Sequence, residues 1–363
     1  MVAPILVLTL LGYVITEKTT TVTIGVVDLD RGAALPFGPT IRIGPLLERA
    51  LADKSLKAEV FSDAAALLAD IEAARLKGGV VIPAGFTSDV LSGKGFGETR
   101  LIVEGSDPML SADLGRRFAQ ALAALPAMVA EEQRRLAPPG VVLPPAPAAP
   151  KTPELEYVYG GAGLGSLSYF APGFVAFFAF FFTFLLTSVS FLRERSSGTM
   201  ERLLASPVKR GEIVLGYLLG FGLFALIQSL VILFFSVWVL GVKPAGSLAA
   251  AFAVEAEFVA VSVLMGIFFS FYARNELQVI QFIPIVIIPQ IVLSGFMTPL
   301  ETLWEPLRWL AAAMPLTYAN DALRAVMIRG WGLDAVTGDL AAIGGFVLFF
   351  ALLATRMIKR QVA

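Results

Sequence analysis

The sequence predicts a mostly α-helical membrane protein: six transmembrane helices, with a small α/β domain inserted between the first and the second. Three observations predict it. The 363 residues are 56% hydrophobic and only 16% charged, and their mean hydropathy of +0.77 lies well above the usual soluble range. Long uncharged runs recur, among them the 24 residues Tyr169 to Leu192 and the 28 residues Ile213 to Leu240, each long enough to cross a hydrocarbon core of roughly 30 Å. Between Glu17 and about Gly165, short strand-like and helix-like segments alternate instead, which is the pattern of an α/β unit.

The composition also excludes several classes of function. A net charge of -1 argues against a nucleic-acid partner. With no cysteine and no histidine, the chain has no disulfide, no thiol nucleophile and no Ser-His or Cys-His triad, and a metal site would need carboxylates alone. No catalytic or metal-binding residue is expected. Lys94 in LSGKGFG lacks both the upstream glycine and the following hydroxyl of a P-loop, and GGAGLG at Gly160 to Gly165 reads as a flexible linker. ATP-driven work, if any, falls to a separate chain.

Taken in order, Val2 to Ile15 is apolar over 14 residues with no cationic segment before it. We expect residues 1–16 to form a first span whose N-terminus is truncated, the alternative being a short span in a locally thinned bilayer. Val22 to Val27 predicts a strand, Ile43 to Leu51 a helix, Lys57 to Phe61 a strand, Asp63 to Leu76 a helix and Gly79 to Ile82 a buried strand. Ala84 to Ser92 predicts a short helix, Arg100 to Glu104 a strand and Ser111 to Leu136 a long helix containing Pro126. Asp28, Asp30, Asp63, Asp107 and Asp113 are assigned to helix caps and turns rather than to a ligand. Pro138 to Pro153 then forms a stiff, extended connector, closing a domain that runs over 17–165.

Five further spans are expected over about 169–192, 213–240, 248–273, 277–297 and 337–357. The loop from Arg193 to Glu212, the turn at Arg274 and the C-terminal tail together hold nine lysines and arginines. The Lys243 turn and the segment from Met297 to Gly338 hold four. This bias puts both termini in the cytoplasm and residues 17–165 outside a cell membrane. Glu255 and Glu257 interrupt an apolar run, where an ionised carboxylate costs on the order of 2 to 3 kcal/mol, and they are candidates for a translocation path unless the membrane boundary falls beside them. Pro284 and Pro289 each remove a backbone donor from the fifth span and should kink it, so they join that list. Residues of about 300–328 are too polar to cross and too apolar for a free loop. Leu303, Leu307 and Leu310 with Trp304 and Trp309 suggest one amphipathic helix, and Tyr318, Ala322 and Val326 the face of another.

The loop RERSSGTMERLLASPVKRGE, Arg193 to Glu212, carries the most specific signal. Gly198 can cap a short helix, Glu201 sits in its first turn, Met200, Leu203 and Leu204 share one face, and Pro207 stops it. A span ending in RER, then SGTMERLLASPV, then a second span resembles the permease subunits of ABC-2 type exporters. In that family a segment of the form (E/R)-x-G-T-(L/M)-E-x-L-(L/M)-x-(S/T)-P is the coupling helix that docks on an ATPase. The likeness assigns ATPase coupling to Glu194, Arg195, Gly198, Thr199, Glu201, Leu203, Leu204, Ser206 and Pro207. GVVIPAGFTSDVLSGK and LIVEGSDP resemble landmarks of the family's extracytoplasmic domain. Ser294-Gly295, Pro299, Pro315-Leu316 and Ala322-Leu323-Arg324 resemble its outer-leaflet re-entrant helix pair.

The resemblance implies a permease subunit of the cytoplasmic membrane, acting as a homodimer or with a paired permease. It would work with ABC ATPase subunits that carry ATP and Mg, and export a substrate across the bilayer. Two other readings fit the residues: a membrane-anchored sensor or assembly scaffold whose outer domain binds a partner, and a secondary transporter using Glu255 or Glu257.

Overall fold

A computed structural model describes residues 22–35, 38–51, 56–96, 98–138, 155–161, 166–297, 300 and 303–358. The expected first span at 1–16, residues 139–153 of the connector, Pro299, Lys359 and Arg360 lie outside them. The chain divides into two compact units, Thr19–Gly165 and one holding Ser166–Ala363.

The first unit is built on a five-stranded sheet. Strands β1 (Val22–Asp28), β4 (Leu56–Val60), β5 (Gly78–Ile82), β6 (Arg100–Val103) and β7 (Leu155–Tyr157) stand in the order β4-β1-β5-β6-β7. All neighbours are parallel except β5 and β6. A two-residue ladder joins β2 (Ala33–Ala34) and β3 (Thr40–Ile41). Helices α1 (Gly44–Leu51), α2 (Ala64–Glu72), α3 (Phe86–Leu91) and α4 (Pro108–Leu136) fill the connections.

Alternation along the strands separates two cores. Val26, Val80, Leu101 and Val103 face α1 and α4, whereas Val27, Val81 and Ile102 face Leu67 and Ile71 of α2. Gly25 and Gly79 lie side by side on that second face because Leu67 occupies the space: a Cβ on them would come within 2.1 Å and 2.7 Å of its Cδ1.

The aspartates divide by role. Asp63 accepts from the Ala65 N–H at 3.2 Å and Asp107 from Met109 and Leu110 at 2.9 and 3.0 Å, so both cap helices as expected. Asp113 departs from capping and pairs with Arg117 at 2.6 Å and Arg116 at 3.1 Å along α4. Asp30 departs further, being a buried tertiary contact. The helix expected to reach Leu76 ends at Glu72, where Ala74 turns the chain at a φ of +56°.

The second unit is helical: α5 (Ser166–Ser196), α6 (Thr199–Ala205), α7 (Arg210–Phe234) with a π-helical extension Phe235–Val239, α8 (Leu248–Ser270), α9 (Glu276–Leu293), α10 (Glu305–Ala312), α11 (Pro315–Met327) and α12 (Thr337–Met357). Among the described residues, five helices, with their extensions, are long and apolar enough to cross a membrane. Their packing is unequal. The apolar windows of α5 and α8 are 56% and 61% buried and form the centre, whereas those of α7 and α12 are 17% and 11% buried and present apolar side chains outward. The fifth expected span is shorter than its apolar run, because Gly295 adopts a φ of +73° just after α9 ends.

The phase expected for the first amphipathic helix after α9 is corrected. Leu303, Leu307 and Ala311 face inward, while Leu310 is 50% and Trp309 76% exposed. The helix starts only at Glu305, after Trp304 and with Pro306 in its first turn, so Leu303 approaches from outside it and the apolar face begins at Leu307.

Candidate functional site

The candidate coupling segment starts at the end of α5. Three successive side chains there reach three different helices. Arg193 forms a two-pronged pair with Glu276 at the start of α9, Nε to Oε1 at 2.6 Å and Nη2 to Oε2 at 3.2 Å. Glu194 accepts a hydrogen bond from the Tyr217 hydroxyl of α7. Arg195 donates from Nη1 to the Ser270 carbonyl at 2.8 Å and lies 4.9 Å from the centroid of the Phe271 ring. That carbonyl lies at the end of α8 and also accepts from the Ala273 N–H at 3.2 Å, and a cation there suits the helix dipole.

Gly198, at a φ of +76°, then reverses the chain into α6. Within this short helix the side chains sort by polarity. Met200 is buried and Leu203 and Leu204 pack against the membrane-unit core, while Thr199, Glu201 and Arg202 are exposed. Ser206 closes the helix by donating to the Leu203 carbonyl at 2.6 Å, and Pro207 prevents its continuation. Glu212 bonds back to the Lys209 N–H at 2.8 Å, which starts α7.

The residues singled out from sequence therefore separate into two groups. Glu194, Arg195, Leu203 and Leu204 serve contacts within this chain. Thr199, Glu201 and Pro207 face outward. No local pattern pointed to the partners Tyr217, Ser270 and Glu276, which lie 23 to 83 residues away.

The two acids of α8 also differ. Glu255 is 0% exposed, with Oε2 3.4 Å from Ser229 Oγ of α7 and Oε1 without a hydrogen-bond partner. Glu257 is partly exposed and turns toward α12, where a Cβ on Gly344 would lie 3.1 Å from its Oε1. Pro284 and Pro289 lie inside α9, which continues through both.

The C-terminal end of α9 is held by α11. Gln290 accepts from the Leu316 N–H, Asn320 donates to the Ser294 carbonyl and Arg324 to the Phe296 carbonyl, each at 3.1 Å. Phe296 meets the rings of Phe170, Phe174 and Phe177 above Gly173, whose hydrogen is required because a Cβ would come within 2.1 Å of the Phe296 ring.

The chain is similar to known transporter proteins. The family profile described as "ABC-2 family transporter protein" matches residues 1–356. The "Probable multidrug ABC transporter permease YbhS" of Escherichia coli (strain K12) is 25% identical over 355 residues, covering 97% of this chain and 89% of its own length. The "Inner membrane transport permease YhhJ" of the same strain is 32% identical over 176 residues, covering 47% of each chain. "ABC transporter G family member 20" of Dictyostelium discoideum is 31% identical over 202 residues, which cover 54% of this chain and only 28% of that protein. No solved structure matches significantly. With a profile matching nearly the whole chain and a relative aligned over 97% of it, the protein belongs to the ABC-2 family of transporter proteins.

Proposed function

We propose that the chain is the permease subunit of an ABC-2 exporter, moving its substrate out across the cytoplasmic membrane with energy from separate ATPase subunits. ATP and Mg belong to those subunits, and a second permease, identical or paired, completes the path. The observation that carries this reading is α6: its apolar side rests on the membrane core, its charged side is exposed, and the residues just before it are tied to three other helices. A push on α6 thereby has contacts through which to reach the neighbouring helices. The relatives named as permeases, one of them as a multidrug permease, support the role and make hydrophobic drugs the first substrates to test. Co-purification of an ATPase with the full chain tests the reading, and loss of that ATPase on changing α6 tests its site.

The sidedness follows from the distribution of lysine and arginine. The first span, the cytoplasmic termini and the outer position of residues 17–165 are part of the same proposal. In this cysteine-free chain, Ser92→Cys is expected to react with an impermeant thiol reagent added outside intact cells, and Ser206→Cys only after permeabilisation. Reversed labelling would refute the six-span arrangement.

Glu255 favours a second role within this path. A fully buried carboxylate with one unpartnered oxygen is costly in a span and argues for a function. Glu255→Gln is expected to change efflux of a fluorescent hydrophobic drug with membrane insertion unaltered, and Glu257→Gln to change it less. Equal efflux in wild type and the double variant would remove both acids from the path. Efflux sustained by a proton gradient without ATP would favour the secondary transporter.

A further inference from the structure

The cytoplasmic and outer portions of α9 belong to different packing clusters. Near its start, Val279 packs with Leu192 of α5 and Ala273, joined by Val189 and Phe282. Further along, Val286 and Ile287 belong to the main membrane core, and Val292 and Leu293 pack with Leu303, Leu307 and Ala311. Phe282 belongs to the first cluster and Ile283 to the main core, so the change of partners falls immediately before Pro284. Its missing N–H and its ring weaken the helix at that boundary. The short cytoplasmic portion thus has a small apolar contact of its own, together with the Arg193–Glu276 pair.

That pair is exposed on both sides, with side-chain accessibilities of 66% and 49%. Exposed pairs contribute little to stability, so its geometry calls for another reason. The neighbouring ties differ from it: the Glu194–Tyr217 and Arg195–Ser270 contacts are partly buried and attach α5 to α7 and α8, which share the main core. Of the three successive side chains, Arg193 alone reaches the helix whose near end lies outside that core.

We propose that Arg193 and Glu276 are positioning residues that convey movement of α6 to the start of α9, which bends at Pro284, while Glu194 and Arg195 keep α5, α7 and α8 moving as one block. The two-pronged guanidinium–carboxylate geometry suits this task, because it fixes direction as well as distance. The inference rests on α6 being the ATPase-docking helix, and its test keeps the two ideas separable.

The test uses the full chain assembled with its cognate ATPase in lipid vesicles, carrying a single cysteine labelled with an environment-sensitive bimane probe. One label is placed on α6 by Ala205→Cys and another before α9 by Arg274→Cys. Trapping with ATP and vanadate is expected to change the fluorescence of both. With Arg193→Glu or Glu276→Arg, the response at Arg274→Cys should be lost while that at Ala205→Cys persists. Arg193→Lys should preserve it in part, and the exchanged pair Arg193→Glu with Glu276→Arg should restore it. A merely structural contact would not yield a nucleotide-dependent signal that returns on exchange. A response at Arg274→Cys that survives the single reversals, or fails to return with the exchange, overturns the strut and leaves α6 as the docking helix. A silent label at Ala205→Cys in the assembled wild-type complex removes the docking reading and the strut with it.

Discussion

Asp30→Ala will unfold the α/β unit around the ends of β1 and β5. Asp30 is only 4% exposed, and its carboxylate accepts from the Thr87 hydroxyl at 2.5 Å, the Thr87 N–H at 3.1 Å and the Gly44 and Gly32 N–H groups at 3.2 Å. These bonds join three segments distant in sequence: the end of β1, the start of α1 and the start of α3. Truncation strands the Thr87 and Gly44 donors in a buried place, at roughly 1 to 3 kcal/mol each, so a loss of about 3 to 5 kcal/mol is expected. That is a large part of the ~5 to 15 kcal/mol that stabilises an ordinary domain. Hydrogen exchange of the full chain should show protection of residues 22–35 and 78–91 falling by about two to four orders of magnitude. Unchanged protection would mean that the carboxylate is dispensable.

The same group sets a pH dependence of known sign. Burial pushes Asp30 upward, but the hydrogen bonds from the Thr87 hydroxyl and from the Thr87, Gly32 and Gly44 N–H groups outweigh it and hold it below its ordinary value of 3.8. Since the folded value is the lower one, the stabilisation is complete above the ordinary value and is lost as pH falls through the folded one. Glu48 acts in the opposite sense, raised by burial and by the charge of Asp28, so its ionisation slightly opposes folding.

What could be read from sequence, and what could not, follows from how each signal arises. Span positions were legible because length and lack of charge are properties of a single segment: α5, α7, α8, α9 and α12 overlap the five expected runs. Which spans form the centre was not. Lipid is as apolar as a protein core, so Leu219 on the exposed side of α7 and Leu264 inside α8 look alike in sequence. Turn chemistry predicted the caps at Asp63 and Asp107 but not the role of Asp30, whose partner Thr87 is 57 residues away. The short helix α6 was legible from its cap and apolar spacing, and the Arg193, Glu194 and Arg195 contacts were not, because a charge at a span end has the same local pattern whether it faces water or a neighbouring helix. Leu310 was assigned to the inward face, whereas the face that packs on Val292, Leu293 and Leu303 runs through Leu307 and Ala311, a tertiary choice that the apolar spacing alone does not encode.

The second large effect concerns Glu201. It is the exposed acid in the first turn of α6, beside the exposed Arg202 and opposite the anchored Met200, Leu203 and Leu204. Reversing its charge leaves the packed side of the helix untouched and alters only what α6 presents to a partner. A charge reversal at a docked contact costs about 2 to 4 kcal/mol, which lowers affinity by roughly 30- to 1,000-fold. The measurement is retention of the cognate ATPase by the full chain in one detergent, with the ATPase activity of the recovered complex, for wild type and Glu201→Lys side by side. The account predicts that wild type retains an active ATPase and that Glu201→Lys loses most of it, while eluting at the same size and yield when purified alone. Equal retention and equal activity in the two would contradict the assignment of α6 as the coupling helix.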